Sequence, residues 1–201
     1  HNQLEQPCKT CMSSSIKCGR INYVTHLTID DSDNIYIAGE TRDSVDIDPS
    51  SNTLWVYDGG YVVKYDPNGN YLWHYAIDQP MGGVSIDHSG GIWCYGSFKG
   101  TSDFDPGPGK ALLTANSLSR SLFLCRFNRK GQFLFVKGIL SDANASTSTG
   151  VSAIGADNSI YLGGWFDDQT DFDPGPNSAK ISATAKRAAF IAKYDSLGRY
   201  I

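Results

Sequence analysis

The sequence lacks the features of several large functional classes. Only 19% of its 201 residues are charged, and 21 acidic residues against 17 basic ones give a net charge of −4. Phosphate binding needs a basic surface, so this balance argues against nucleic acid as the main partner. No stretch approaches the roughly 18 consecutive apolar residues of a membrane-spanning helix, so membrane insertion is not expected.

Catalytic signatures are scarce as well. There is no Gly-x-Ser-x-Gly elbow, no His-Glu-x-x-His helix and no glycine-rich phosphate loop. The four histidines are scattered over unrelated positions: His1, His26, His74 and His88. Carboxylates are plentiful enough for a glycosidase-like pair, but no pair stands out. We therefore do not expect an enzyme.

Aromatic residues and glycine are abundant, at 12% aromatic with 21 glycines. This composition is typical of short strands joined by tight turns. No segment shows helical periodicity of useful length. The sequence therefore predicts an all-β fold.

The apolar runs recur in three repeats. Each repeat has a run that ends in glycine, at residues 35–39, 92–96 and 160–164. An Asp-X-Asp-Pro turn begins seven residues after each of these glycines, at Asp46, Asp103 and Asp171. A third run (61–65, 123–127, 190–194) and a fourth (71–73, 133–135, 200–201) follow, with a turn between them. A further run precedes each first turn, such as 27–29 and 84–86.

About four short strands per repeat predict the blades of a β-propeller. One antiparallel four-stranded sheet cannot cover both of its apolar faces, and packing blade on blade covers them. The repeats are predicted to span about 1–72, 73–134 and 135–201, with residues 1–21 as a cysteine-containing insertion. Closed propellers have about 4 to 8 blades, so three make an incomplete ring. Further blades are expected from a longer parent chain or from a second copy.

The motif Asp-Phe-Asp-Pro-Gly-Pro at 103–108 and 171–176, in register with Ala-Phe-Ile-Ala-Lys-Tyr-Asp at 189–195, resembles the SBBP-type β-propeller repeats of Bacteroidetes. The resemblance covers about residues 24–201, and the first copy departs from it with Ser50 after Pro49. It implies a propeller fold and an extracellular or cell-surface address in bacteria. It implies no agreed activity.

The Asp-X-Asp turns have two interpretations. Asp side chains accept hydrogen bonds from their own backbone two residues on and so fix turns, which favours a structural role. Paired carboxylates also suit Ca²⁺, and the candidate ligands are Asp46, Asp48, Asp103, Asp105, Asp171 and Asp173. The acidic segment 30–34 is predicted to be a hairpin turn, with a metal site as its alternative.

The cysteines fall into two groups. Cys94 and Cys125 occupy strand positions that hydrophobic residues fill in other repeats, so both are predicted to be small buried hydrophobes, with a cross-strand disulfide as the alternative. The candidates for a disulfide in the insertion are Cys8, Cys11 and Cys18. In an exported protein one disulfide and one leftover thiol are favoured over three thiols, or over a zinc site completed by His26 or His1.

Most aromatic residues repeat in register, as inter-blade packing requires. Trp55 and Trp165 do not repeat in register, and they are candidates for binding a sugar ring or a peptide. The Ser/Thr/Ala-rich segment 141–150 is predicted to be a surface loop, with Asn144-Ala145-Ser146 as a formal glycosylation site. The sequence thus favours a non-catalytic exported or surface module that binds a protein or glycan. The alternatives are a structural spacer array and, less favoured, a glycan-active catalytic propeller.

Overall fold

The computed structural model describes residues 22–201, and this part of the chain is all-β, as predicted. It has fifteen strands, and they pair antiparallel into sheets without any helix in the described range. No helix in residues 22–201 is therefore long and apolar enough to cross a membrane. The proposed insertion at 1–21, with Cys8, Cys11, Cys18 and His1, lies outside the described residues.

Three sheets of similar design follow one another along the chain. The first sheet has the order β1-β2-β3-β4: Asn22–Ile29, Ile35–Asp46, Trp55–Tyr65 and Tyr71–Ile77. The second sheet has the order β5-β6-β9-β10: Met81–Ile86, Ile92–Phe98, Ser121–Phe127 and Phe133–Ser141. The third sheet has the order β11-β12-β15: Thr147–Ile154, Ile160–Phe166 and Ala188–Tyr194. A single bridge from Tyr194 to Tyr200 continues it toward a fourth strand position.

Two short hairpins extend from the second and third sheets at the Asp-X-Asp turns. They are β7 with β8 (Thr101–Asp103, Leu112–Thr114) and β13 with β14 (Gln169–Asp171, Lys180–Ser182). Leu140 in β10 pairs with Asp171, so the β13–β14 hairpin adds to the outer edge of the second sheet. In the first sheet the same feature is the distal part of the long β2–β3 hairpin.

Most hairpin turns within the sheets share one plan, in which an Asp or Asn side chain accepts the backbone N–H groups two and four positions on. The 155–159 turn, which begins with Gly155, is the exception. Asp87 Oδ1 accepts the backbone N–H groups of Ser89 and Gly91, both at 2.9 Å. Gly90 has φ 78°, the left-handed conformation that this loop requires and that glycine adopts without a steric cost. Asp30 accepts the N–H groups of its own loop in the same way, so the predicted turn at 30–34 is confirmed.

The sheets stack face to face. We call the side of each sheet that carries Tyr36, Trp93 or Tyr161 its back face, and the opposite side its front face. The back face of the first sheet packs on the front face of the second, around Cys94 and Phe127. The back face of the second sheet packs on the front face of the third in the same way. Two large apolar cores therefore lie between the sheets.

The first strands of the three sheets also adjoin one another. His26 Nδ1 in β1 lies 2.6 Å from the carbonyl oxygen of Val84 in β5. Ser85 in β5 and Ser152 in β11 form a hydroxyl hydrogen bond of 2.6 Å. The sheets are thus joined along one side by their first strands, and the β13–β14 hairpin lies at the opposite edge of the second sheet.

The prediction of a surface loop over 141–150 was wrong. Strand β10 ends at Ser141 and β11 begins at Thr147, so only 142–146 connect the two sheets. The hydroxyl groups of Ser141, Thr147 and Thr170 are buried and hydrogen-bond one another at 2.7 to 3.2 Å. Polar residues are tolerated inside because each hydroxyl has a partner. Asn144 remains exposed, with φ 67°.

Candidate binding surfaces

The carboxylates of the Asp-X-Asp turns are engaged with their own loops. Asp103 Oδ1 accepts the backbone N–H groups of Asp105 at 3.2 Å and Ala111 at 2.8 Å. Asp105 Oδ1 accepts the N–H of Gly107 at 2.8 Å. The first and third turns repeat this plan with the pairs Asp46 and Asp48, Asp171 and Asp173.

The hydrogen bonds to Asp103 stabilise the charged form of its carboxylate. The backbone N–H groups of Ala111 and Asp105 hold the pKa of Asp103 below its usual value. Within residues 22–201 no group of three or more His, Cys, Asp and Glu side chains is placed to hold a metal ion. A calcium role for the turns stays a prediction, to be tested by melting the protein with calcium and with excess chelator.

The residue between the two Asp residues is the buried part of each turn. Ile47, Phe104 and Phe172 are at most 1% exposed. Their carbonyl oxygens accept tyrosine hydroxyls, from Tyr65 to Ile47 at 2.8 Å and from Tyr194 to Phe172 at 2.9 Å.

In the second repeat the position of these tyrosines holds Phe127, which has no hydroxyl group. Tyr75 of the preceding sheet donates to the Phe104 carbonyl instead, at 3.4 Å. The turn of the second repeat is therefore tied to the first sheet as well as to its own.

Cys94 and Cys125 are free and fully buried, and they lie directly opposite each other on β6 and β9. The structure therefore supports the interpretation as small hydrophobes and has no disulfide between them. Burial raises the pKa of both thiols.

We expect Cys94 and Cys125 to resist alkylation by iodoacetamide at pH 8 in the folded protein and to react in full after denaturation. The thiolate is the reactive form, and a raised pKa keeps it rare. Peptide mass mapping separates these two sites from the cysteines of the insertion. Rapid labelling of either peptide under native conditions would contradict the buried placement.

Each sheet carries an aromatic ring, a cation and a carboxylate on its back face. We call these sets the triads, and they are Tyr36, Lys64 and Asp30; Trp93, Arg126 and Asp87; Tyr161, Lys193 and Asp157. The cation lies over the ring at 4.9, 4.3 and 5.3 Å from its centroid, in sheet order. Such cation–π contacts gain strength when water is excluded.

The triads were not predicted from the sequence. The sequence did contain a signal for them. In each repeat a Lys or Arg directly precedes the last, aromatic residue of the third apolar run, and the second apolar run has an aromatic residue at the position that pairs with this cation. The carboxylate was harder to find because Asp157 occupies a different position in its turn from Asp30 and Asp87.

Burial differs among the triads. Asp87 and Arg126 are almost completely buried, with side-chain exposures of 0% and 8%. Burial raises the pKa of Asp87, but hydrogen bonds from Ser89, Gly91 and Arg126 outweigh it and hold that pKa below the usual value. The same balance at Asp30, with Asn34 as main donor, lowers its pKa to about 2. The triad of the third sheet is the exposed one, because no sheet covers it in the described residues.

Trp165 lies on the back face of the third sheet, near the end of β12. The guanidinium of Arg187 stacks over its ring at 3.6 Å. The equivalent position of the second sheet is Ser97, which is buried on the face that packs on the third sheet. Trp165 therefore belongs to a surface that sheet stacking uses.

Trp55 lies at the start of β3 on the distal hairpin of the first sheet, opposite Asp46. Trp55 is 39% exposed, and Tyr57, two residues on and on the same side of the strand, is 67% exposed. The equivalent positions in the other repeats are Leu112 and Lys180, and both are exposed although their sheets are stacked on a preceding one. Trp55 and Tyr57 therefore form a surface that stacking does not cover.

The two candidate tryptophans are not brought together. Trp55 belongs to the first sheet and Trp165 to the third, and the second sheet lies between those sheets. They are parts of two different surfaces.

No family model matches the chain, and no curated protein matches it.

Proposed function

We propose that the three sheets are successive propeller blades and that the protein is a non-catalytic binding module. The blade arrangement is supported by sheets that stack front to back in the same register, with their first strands adjoining. An exported or cell-surface address is part of the proposal and rests on the resemblance to the SBBP-type repeats.

The exposed pair Trp55 and Tyr57 is the proposed binding surface, and one observation carries this choice. The equivalent side chains of the second and third repeats remain exposed within the stack, Leu112 at 57%. An aromatic pair at this position stays accessible whether or not another blade packs in front of the first sheet. Trp165 does not meet this criterion.

The chemistry of this surface suits a flat, partly apolar ligand. Two residues apart on one side of a strand, Trp55 and Tyr57 are separated by about 7 Å along the backbone, the rise of two strand residues. Tyrosine and tryptophan offer broad apolar faces together with one polar group each. A glycan or an extended peptide, which both present apolar faces edged by polar groups, fits this description.

We expect Trp55→Ala and Tyr57→Ala to weaken ligand binding at least about 30-fold each, the effect of losing a residue worth about 2 kcal/mol. A glycan array and a peptide library on the purified chain identify the ligand, and titration calorimetry gives the affinities. Leu112→Ala removes an apolar group at the equivalent position of the second repeat and is the matched control.

Unchanged affinity in both variants would exclude this surface as the site. The alternative function is a structural spacer, which the two continuous cores between the sheets favour. If the protein is a spacer, we expect no ligand in either library, and we expect the contacts between the sheets to supply most of its stability.

A further inference from the structure

The back face of the third sheet is an interaction surface, and its equivalents within the molecule indicate what it fits. Val62, Leu124 and Ile191 occupy one position in the three sheets, each on the third strand of its sheet. Val62 and Leu124 are 0% exposed because the next sheet covers them, whereas Ile191 is 82% exposed. The same position is a core position twice and a surface position once.

The neighbours of Ile191 show the same difference. Val151, opposite Gly163 on the adjacent strand, is exposed. Tyr161 is half-buried, whereas its equivalents Tyr36 and Trp93 are fully buried. Together with the exposed triad of the third sheet, these side chains form an apolar patch with one ion pair. The second sheet presents Leu124 and its own triad to the front face of the third.

The complementary surface lies at the other end of the stack. Leu27 points from β1 toward the front face of the first sheet and is 58% exposed, whereas its equivalent Val84 is 0% exposed beneath the first sheet. Ile29, two residues along β1, is exposed as well. Among residues 22–201, the back face of the third sheet is thus uncovered. The front face of the first sheet is open along β1, although Val63 and Tyr65 on β3 are buried.

We propose that the back face of the third sheet binds the front face of the first sheet in a second copy of this chain. This inference rests on the blade arrangement proposed above. Contacts between two different surfaces form a closed assembly only when the rotation closes. Two copies related by a two-fold axis make the contact twice and bring six blades into one ring, within the about 4 to 8 of closed propellers.

Light scattering on the full 201-residue chain tests the proposal. We expect twice the 21.9 kDa of one chain for the wild type and for Leu118→Asp, a control at an exposed leucine on the loop before β9. Ile191→Asp and Leu27→Asp should each give 21.9 kDa, because a carboxylate is then placed in an apolar contact. Circular dichroism spectra that match the wild type show that both variants remain folded.

Mixing the two monomeric variants distinguishes this contact from one that uses the same patch on both copies. In the mixture, the intact front face of Ile191→Asp meets the intact back face of Leu27→Asp, so association should return. A monomeric wild type, a dimeric Ile191→Asp variant or a mixture without association would overturn the proposal. Ligand binding at Trp55 is measured separately on the same variants, so failure of the binding function is seen apart from failure of assembly.

Discussion

Replacing Arg126 by methionine is expected to destabilise the protein by about 3–5 kcal/mol, measured by urea unfolding. The guanidinium pairs with Asp87 and lies over the Trp93 ring, 4.3 Å from its centroid. Methionine keeps most of the apolar stem but leaves the buried carboxylate without its cation. Since domains are stable by about 5–15 kcal/mol, this loss is a large share of the total.

A double-mutant cycle shows whether the buried charge is the cause. Asn can replace Asp87 without loss of the turn, since Asn128 accepts the N–H groups of Lys130 and Gln132 at 2.9 and 3.1 Å in a turn of the same plan between β9 and β10. The combination of Arg126→Met with Asp87→Asn should therefore be more stable than Arg126→Met alone.

Lys193→Met is the matched control for this prediction, because it removes the cation of the exposed triad. In the monomeric Leu27→Asp background, where no second copy covers the third sheet, we expect Lys193→Met to leave the unfolding midpoint nearly unchanged, since ion pairs open to solvent contribute little. Equal losses at Arg126 and Lys193 would contradict the view that burial by the next sheet gives the triad its importance.

The strand pattern and most turns could be predicted from the sequence because both depend on local chemistry. The apolar run 92–96 became β6, and Asp87 set its turn through hydrogen bonds to residues two and four positions on. These strand and turn predictions were reliable because the same pattern occurs in three repeats. The buried state of Cys94 followed from the same comparison of positions.

The rest depends on partners that are distant in sequence. From the sequence alone, Thr147 looks like a loop residue. In the structure the packing of two sheets brings the hydroxyl groups of Ser141 and Thr170 to that of Thr147, which stabilises its buried position. The difference between Trp55 and Trp165 could not be predicted either, because it depends on which strand faces the neighbouring sheet. The sequence shows two unusual tryptophans, and only stacking separates the accessible one from the one on a sheet contact.

Replacing Phe104 by alanine is the second change with a large expected effect, a loss of about 3–5 kcal/mol in the free energy of unfolding. Phe104 is fully buried, and its ring centroid lies 5.5 Å from that of Phe98 and 4.9 Å from that of Phe123. Alanine leaves a cavity between the hairpin and the core of the first two sheets, where Phe104 contacts its neighbours. Urea unfolding measures the loss, and Leu112→Ala, at an exposed position of the same hairpin, should change stability by no more than about 0.5 kcal/mol.

Comparing Phe104→Ala with Asp105→Ala shows which part of the Asp-X-Asp turn holds the hairpin in place. Asp105 is partly exposed, and its carboxylate accepts the N–H of Gly107 at 2.8 Å. Water can replace that bond at the surface, whereas nothing replaces the apolar contacts of Phe104. We therefore expect the larger loss at Phe104. The reverse order would mean that the carboxylates, with or without a bound cation, anchor the turn, and that the buried residue between them only fills space.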